Sequence, residues 1–253
     1  MFDFLYARKR HGIQYVRSIT GSVLDERFRG FPIIDKTASK DDISQIAGKC
    51  PLSAIDSDKI ELDLGKCNFC GACAEKESKI KFSNKHKTGT DLRDKLIIKK
   101  GDNFESFFSN SINARNEIKR LFGRSLKLRS VSAGGCNACE MELNACGNVN
   151  FDMGRYGIEV TASPRHADGV VITGPVSANM SYALEETFSA VPEPKIIIAM
   201  GTCAISGGLF AESKDIDRSF FNKHKVDLYI PGCPPHPLTF INALIRFMGK
   251  KYE

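Results

Sequence analysis

Eight of the nine cysteines in this 253-residue chain fall into two sets of four. The first is Cys67, Cys70 and Cys73, spaced C-x-x-C-x-x-C, with Cys50 standing directly before Pro51. The second begins with Cys136 and Cys139 and is completed by Cys203, in GTCAISGG, and Cys233, in PGCPP. A cubane of iron and sulfide takes four thiolates around a compact core, and a C-x-x-C-x-x-C loop wraps three corners while a remote Cys-Pro supplies the fourth. The spacing therefore predicts an electron carrier with two [4Fe-4S] clusters, one held by Cys50, Cys67, Cys70 and Cys73, the other by Cys136, Cys139, Cys203 and Cys233. Zinc is the alternative at both sets, although structural zinc usually takes two separated C-x-x-C pairs. Ordinary buried cysteines are a further alternative at the second, less local set. Cys146 has no place in either and reads as a packed free thiol.

The first set is half of a longer pattern. In two-cluster ferredoxins the run C-x-x-C-x-x-C-x-x-x-C-P occurs twice, and each Cys-Pro serves the cluster whose triplet lies in the other half. Counting back from Cys50, the other triplet would stand at Lys40, Ile43 and Ile46, and Glu77 stands where its Cys-Pro would begin. One ligand set is gone entirely, while the surviving triplet keeps its cross-ligand.

Composition bounds the setting. No stretch approaches the ~18 apolar residues of a membrane-spanning helix, and no apolar leader precedes a small-residue cleavage site. An odd cysteine count with C-x-x-C spacing and no export signal argues for metal ligation over disulfides. The expectation is a cytoplasmic chain, at most peripheral on the cytoplasmic face of a membrane. Lys and Arg outnumber Asp and Glu 26 to 17 over residues 1–129 and fall behind, 10 to 13, over the rest. A basic half suits an anionic membrane surface, an acidic protein partner or simply a solvated lysine-rich face. Nothing in it matches a nucleic-acid-binding signature, so no nucleic acid is expected.

These cysteines need elements to bring them together. Apolar runs at 126–131, 169–173, 195–200 and 226–230 alternate with helical patterns at 179–190 and 236–248, which predicts a parallel sheet flanked by helices. Three of those strands run straight into cysteine loops, and ligands of such sheets collect beyond the carboxyl ends of the strands. The fold class expected is α/β, a flavodoxin-like parallel sheet carrying one cluster, preceded by a small α+β ferredoxin-like domain. The boundaries expected are 1–90 for an N-terminal arm and the single-cluster domain, 91–125 for a linker with a connecting helix, and 126–253 for the sheet domain. The opening MFDFLYARKRHGIQYV reads as a short helix that docks on a partner or a membrane surface, or packs on its own domain.

The stretch from Ser130 to about Met248 carries GGCNACEMEL, DMGRYGIEVTASPRHADGVVITGPV, PEPKIIIAMGTCAISGGLF and VDLYIPGCPPHP. It resembles the small electron-transfer subunit of energy-converting nickel-iron hydrogenases and formate hydrogenlyases, itself similar to the quinone-site subunit of respiratory complex I. The segments MFDFL, FRGFPIID, CPLSAI and CNFCGACAEK look like the partner ferredoxin subunit of the same complexes. The resemblance implies two neighbouring subunits fused in one chain, an oxidoreductase component with no active site of its own. It would relay electrons to or from a nickel-iron site on a large partner subunit, next to ferredoxin-like or formate dehydrogenase partners and membrane subunits. Quinone-reducing relatives carry adjacent cysteines where this chain spaces Cys136 and Cys139, which is the hydrogenase form. A complex I-like quinone oxidoreductase subunit is the alternative, and a zinc-binding assembly scaffold a third. Ala138 stands where the family usually has glycine. The resemblance also suggests that Glu140 and Glu142 face the large subunit as proton relays, against the plainer reading of acidic residues stabilising a helix N-terminus. Arg165 and His166 would approach the partner's active site.

Overall fold

The computed structural model describes residues 2–12, 14–75, 77–113 and 115–250. Helix α1 (Phe2–His11) leads, with Phe4, Leu5 and Tyr6 exposed beside the basic run from Arg8 to His11. Strand β1 (Pro32–Ile34) follows, then helix α2 (Lys40–Ala47). Ser39 begins α2 through a reciprocal capping box: its hydroxyl accepts from the Asp42 N–H at 3.2 Å, and the Asp42 carboxylate accepts from the Ser39 N–H at 2.9 Å. The positions of the vanished cysteine triplet lie on this helix. Ile43 is fully buried and Ile46 packs against the same core, so aliphatic side chains occupy what would have been ligand positions.

Strands β2 (Ile55–Asp56) and β3 (Glu61–Asp63) form a hairpin, and β4 (Ile80–Phe82) pairs antiparallel with β1. Strand β5 (Ile97–Lys99) completes a three-stranded antiparallel sheet in the order β2-β3-β5. Residues 91–125, expected as a linker, thus contribute a strand to the first module, followed by helices α3 (Phe104–Ser111) and α4 (Asn116–Phe122). The preceding residues are equally committed. His86, Thr88 and Thr90 are buried, and Thr90 exchanges two backbone hydrogen bonds with Tyr229 at 2.8 and 2.9 Å. Lys, Asp and Ser give this stretch a solvated look, but its backbone pairs with the sheet edge and Leu96 and Ile98 are buried.

The second half builds the expected parallel sheet. Strand β6 (Leu126–Ser132) leads into α5 (Ala138–Cys146), and β7 (Ile158–Val160) is an edge strand. Then come β8 (Gly169–Thr173), α6 (Ala178–Ser189), β9 (Ile196–Met200), α7 (Thr202–Ser206), α8 (Ser219–Lys223), β10 (Leu228–Ile230) and α9 (Pro237–Phe247). The strand order is β10-β9-β8-β6-β7, all parallel. GVVIT and IIIAM are buried along their whole length, as central parallel strands covered on both faces must be.

Alternate side chains divide between two cores. Val171, Ile196 and Ile198 pack with α5 and the nearly all-buried α9. Val170, Ile172 and Ile197 face the other way, into a core that also contains Phe31, Leu62, Leu64 and Ile98 of the first module. The two modules therefore share one hydrophobic core.

Candidate metal centres

The carboxyl ends of β6, β9 and β10 deliver the second cysteine set. Past β6 the chain turns through Gly134 and Gly135 to Cys136, and Cys139 lies in the first turn of α5. Cys203 is the second residue of α7, which Gly201 precedes, and Cys233 follows Gly232 after β10. Burial pushes the Cys139 thiol up to about 12, helped by the charges of Glu140, Cys203, Cys233 and Cys136. Burial likewise raises Cys203 to about 11, reinforced by Cys233 and Cys136, and it raises Cys233 too, reinforced by Cys136. All four thiols thus lie within electrostatic reach of one another.

Two glycines shape the space around them. A Cβ on Gly201 would lie 2.6 Å from Cys139 Sγ, and one on Gly208 would lie 2.9 Å from Cys203 Sγ. Both residues have positive φ, +92° and +58°, so the backbone bends close to the sulfurs only because no side chain intervenes.

The first set is gathered around the loop after β3. Cys67 and Cys73 are buried, Cys50 is half-buried and Cys70 is exposed. Burial drives the Cys67 thiol to about 12, with Cys73, Cys50 and Cys70 adding repulsion, and Cys73 to about 11 with Cys50 and Cys70 contributing. The Ala54 and Phe69 N–H groups each donate to a sulfur, Cys50 Sγ and Cys67 Sγ respectively, at 3.3 Å.

Clustered thiols of this kind stay protonated on their own and become thiolates only when a cationic centre offsets burial and mutual repulsion. Among the described residues, no three Cys, His, Asp or Glu side chains close around the position of a single metal ion. Each set is four free cysteines, and four thiolates would be the donor chemistry of a multi-iron core.

The two sets meet. The buried Thr202 hydroxyl donates to the Cys67 carbonyl at 2.8 Å, with the Gly232 carbonyl 3.1 Å away as a second acceptor. One side chain beside Cys203 therefore touches the backbone of Cys67 and of the residue before Cys233. Cys70 and Cys233 both line a cleft of about 420 Å³ between the modules, along with Arg29, His86 and His236.

Of the other residues singled out by sequence, Glu140 is a structural tie. Ser132 and Thr173 hydroxyls donate to its Oε1 at 2.5 and 2.7 Å, joining α5 to β6 and β8. Burial works to raise that carboxyl, but these two bonds outweigh it and hold it below the ordinary value. Burial leaves Glu142 above its ordinary value. Arg165 and His166 are exposed on a short 3-10 turn. Cys146 is a fully buried free thiol that donates to the Glu142 carbonyl at 3.2 Å. Thr202, although it stands inside GTCAISGG, and Arg218, bonded to carbonyls of the Cys203 helix, escaped the sequence reading because each acts through backbone carbonyls that no spacing rule reports.

No helix among the described residues is long and apolar enough to cross a membrane. Comparison with known proteins matches residues 136–247 to the family described as NADH ubiquinone oxidoreductase, 20 Kd subunit. The chain is 33% identical to the probable membrane-bound hydrogenase subunit mbhJ of Pyrococcus furiosus, over 53% of its own length and 80% of that protein. It is 40% identical to an NADH-quinone oxidoreductase subunit of Heliobacterium modesticaldum, over 47% of its length and 68% of that protein. Formate hydrogenlyase subunit 7 of Escherichia coli is 37% identical over 57% of this chain and 55% of its own. Identity at this level, over most of the length of two of these relatives and across the loops that carry the second cysteine set, shows that the chain belongs to the NADH ubiquinone oxidoreductase 20 Kd subunit family.

Proposed function

We propose that this chain is an iron–sulfur electron-transfer subunit of a multi-subunit hydrogenase-like complex, relaying electrons to or from a nickel-iron site on a large partner subunit. Cys136, Cys139, Cys203 and Cys233 would hold one [4Fe-4S] cluster, and Cys50, Cys67, Cys70 and Cys73 the other. When bound, each cluster supplies a reversible one-electron store whose potential the surrounding charge and hydrogen bonds set. The chain's own work is positional. Gly201 and Gly208 let backbone and sulfur close up, N–H groups of Ala54 and Phe69 point at thiol sulfurs, and Thr202 joins the two ligand loops. What supports the reading is that the loops carrying Cys136, Cys139, Cys203 and Cys233 all follow the carboxyl ends of strands in one parallel sheet, in a chain of this family.

Partner contact is supported by what surrounds that edge. Cys136 and Cys233 are exposed, and so are Met141 in α5 and Leu209 and Phe210 just beyond α7. A large subunit seated there would exclude water from the cluster and bring its own site within electron-transfer range. The N-terminal module, with its cysteine set on the other side of Thr202, would face a ferredoxin-like or formate dehydrogenase partner, and the whole would sit peripherally at the cytoplasmic face of membrane subunits. A quinone-linked complex is the second reading, favoured by the 40% identity to an NADH-quinone oxidoreductase subunit. The Cys136-x-x-Cys139 spacing weighs against it.

Anaerobic purification with iron and labile-sulfide assay tests the cofactor content: two cubanes require about eight of each per chain. Stoichiometric zinc without sulfide would refute the reading. Reduction of both clusters by hydrogen in the co-purified complex, and not by quinol, separates the hydrogenase reading from its rival.

A further inference from the structure

Arg218 lies fifteen residues beyond Cys203, in a polar loop with no motif, yet both terminal nitrogens of its guanidinium bond to the helix that carries Cys203. Nη1 donates to the carbonyls of Cys203 at 3.1 Å and Pro175 at 3.3 Å, and Nη2 donates to those of Ala204 at 2.9 Å and Ile205 at 3.0 Å. The group lies over the Phe221 ring at 4.4 Å. Three of its acceptors are successive carbonyls of α7, the five-residue helix that carries Cys203, so the cation caps the negative end of that helix.

Its electrostatic position is unusual. A half-buried cation is ordinarily matched by a carboxylate, but among the described residues none bonds to Arg218. The adjacent Asp217 is committed elsewhere, accepting from the Ser181 hydroxyl at 2.6 Å and the Ser219 N–H at 2.8 Å. Arg93, the other cation nearby, is matched by Asp63 through two bonds of 2.6 and 2.8 Å. A cubane with four thiolate ligands carries net negative charge, since the thiolates outweigh the charge of the core. Each added electron makes it more negative.

We propose that Arg218 is the fixed counter-charge of the cluster held by Cys136, Cys139, Cys203 and Cys233, a positioning residue that raises this cluster's reduction potential relative to the one held by Cys50, Cys67, Cys70 and Cys73. The proposal rests on the two-cluster reading above. A permanent positive charge stabilises the reduced form more than the oxidised one, and net charge and hydrogen bonding are among the quantities that set such potentials. The difference it makes would order the two sites, so that electrons arriving at the N-terminal cluster run toward the sheet edge.

The test is a redox titration, followed by electron paramagnetic resonance, of the full chain with both clusters reconstituted anaerobically. Wild type is compared with Arg218→Gln, Arg218→Met and Arg218→Lys, and Cys70→Ser assigns the N-terminal signal. The expected result is a shift of the second cluster to more negative potential in the two neutral variants, little shift in Arg218→Lys, and an unmoved N-terminal cluster in all three. An unchanged potential in Arg218→Gln with full iron content overturns the proposal, as does an Arg218→Lys shift as large as that of Arg218→Gln. Should the neutral variants fail to retain iron at this site, retention by Arg218→Lys supports a charge requirement, and loss in Arg218→Lys as well overturns it. Wild type with no iron at the second set would instead refute the cofactor reading itself.

Discussion

At the scale of single residues, the candidate centres depend on what is missing as much as on the thiols. Gly201 combines a φ of +92° with a would-be Cβ only 2.6 Å from Cys139 Sγ, so a methyl group there displaces a sulfur or the strand end behind it. Gly201→Ala should lose about half the bound iron, the share of one of two cubanes, while Gly48→Ala, at φ −62° with nothing within 4 Å of the added carbon, should leave iron content unchanged. Equal iron in both variants would contradict the crowding argument. His86 supplies a different kind of test. It is 3% exposed, and burial lowers its pKa to about 4, with the positive charges of Lys87, His236 and Lys85 adding to the effect. A folded-state pKa below the unfolded value of about 6.5 means that the unfolded chain takes up a proton the folded chain refuses. The stability tied to a neutral His86 is therefore complete above about pH 6.5 and is lost as pH falls toward 4, by about 3 kcal/mol. Denaturant unfolding of His86→Gln should show a shallower loss across that interval than wild type; parallel curves would mean that His86 does not carry it.

At the scale of elements, Thr202 matters because it joins loops that the sequence keeps far apart. Thr202→Val keeps the shape and removes the hydroxyl, leaving the Cys67 carbonyl without its donor in a buried place. The expected cost is about 1–3 kcal/mol, read as a lower unfolding midpoint, with Thr202→Ser close to wild type; a Val variant as stable as wild type would show that the tie is idle. This bond also marks where sequence reading stops. Strands β6, β8, β9 and β10 and helices α6 and α9 are legible to within a few residues, because long apolar runs and helical periodicity report burial directly. The cysteine spacing stands out in the sequence because such thiol patterns have few other uses, and its reading as two ligand sets is the proposal made above. Strand β5 is not: its Ile97 and Ile98 sit between lysines in a stretch rich in Asp and Ser, and only pairing with β3 makes it a strand. Strand β7 is three residues long with an exposed Glu159 at its centre, too short for any alternation to register. Thr202 and Arg218 act through backbone carbonyls of residues distant in sequence or outside any motif, contacts for which no spacing rule exists.

At the scale of the whole molecule, one of the two cores is built by both halves of the chain, across the expected division into a small cluster domain, a linker and a sheet domain. Val170, Ile172, Ile197, Ala204 and Ile205 belong to the same buried cluster as Phe31, Leu62, Leu64 and Ile98, and Thr90 pairs with Tyr229 at the edge of the sheet. Removing residues 1–125 would uncover one face of the sheet, remove the backbone partner of β10 and leave Thr202 without the Cys67 carbonyl. The cost per uncovered aliphatic side chain is about 1.5–3 kcal/mol, so a handful of them exceeds the stability of an ordinary domain. Residues 126–253 expressed alone should therefore aggregate or bind a hydrophobic dye, and the full chain should unfold in a single transition seen alike by circular dichroism and by loss of the cluster absorbance. Two separate transitions in the full chain, with the fragment melting at the temperature of the second, would show instead that the modules are independent bodies and that the shared core contributes little. The same coupling bears on electron flow: cysteine sets carried by halves that share a buried core would keep a fixed separation, whereas modules joined by a flexible linker would vary it from moment to moment.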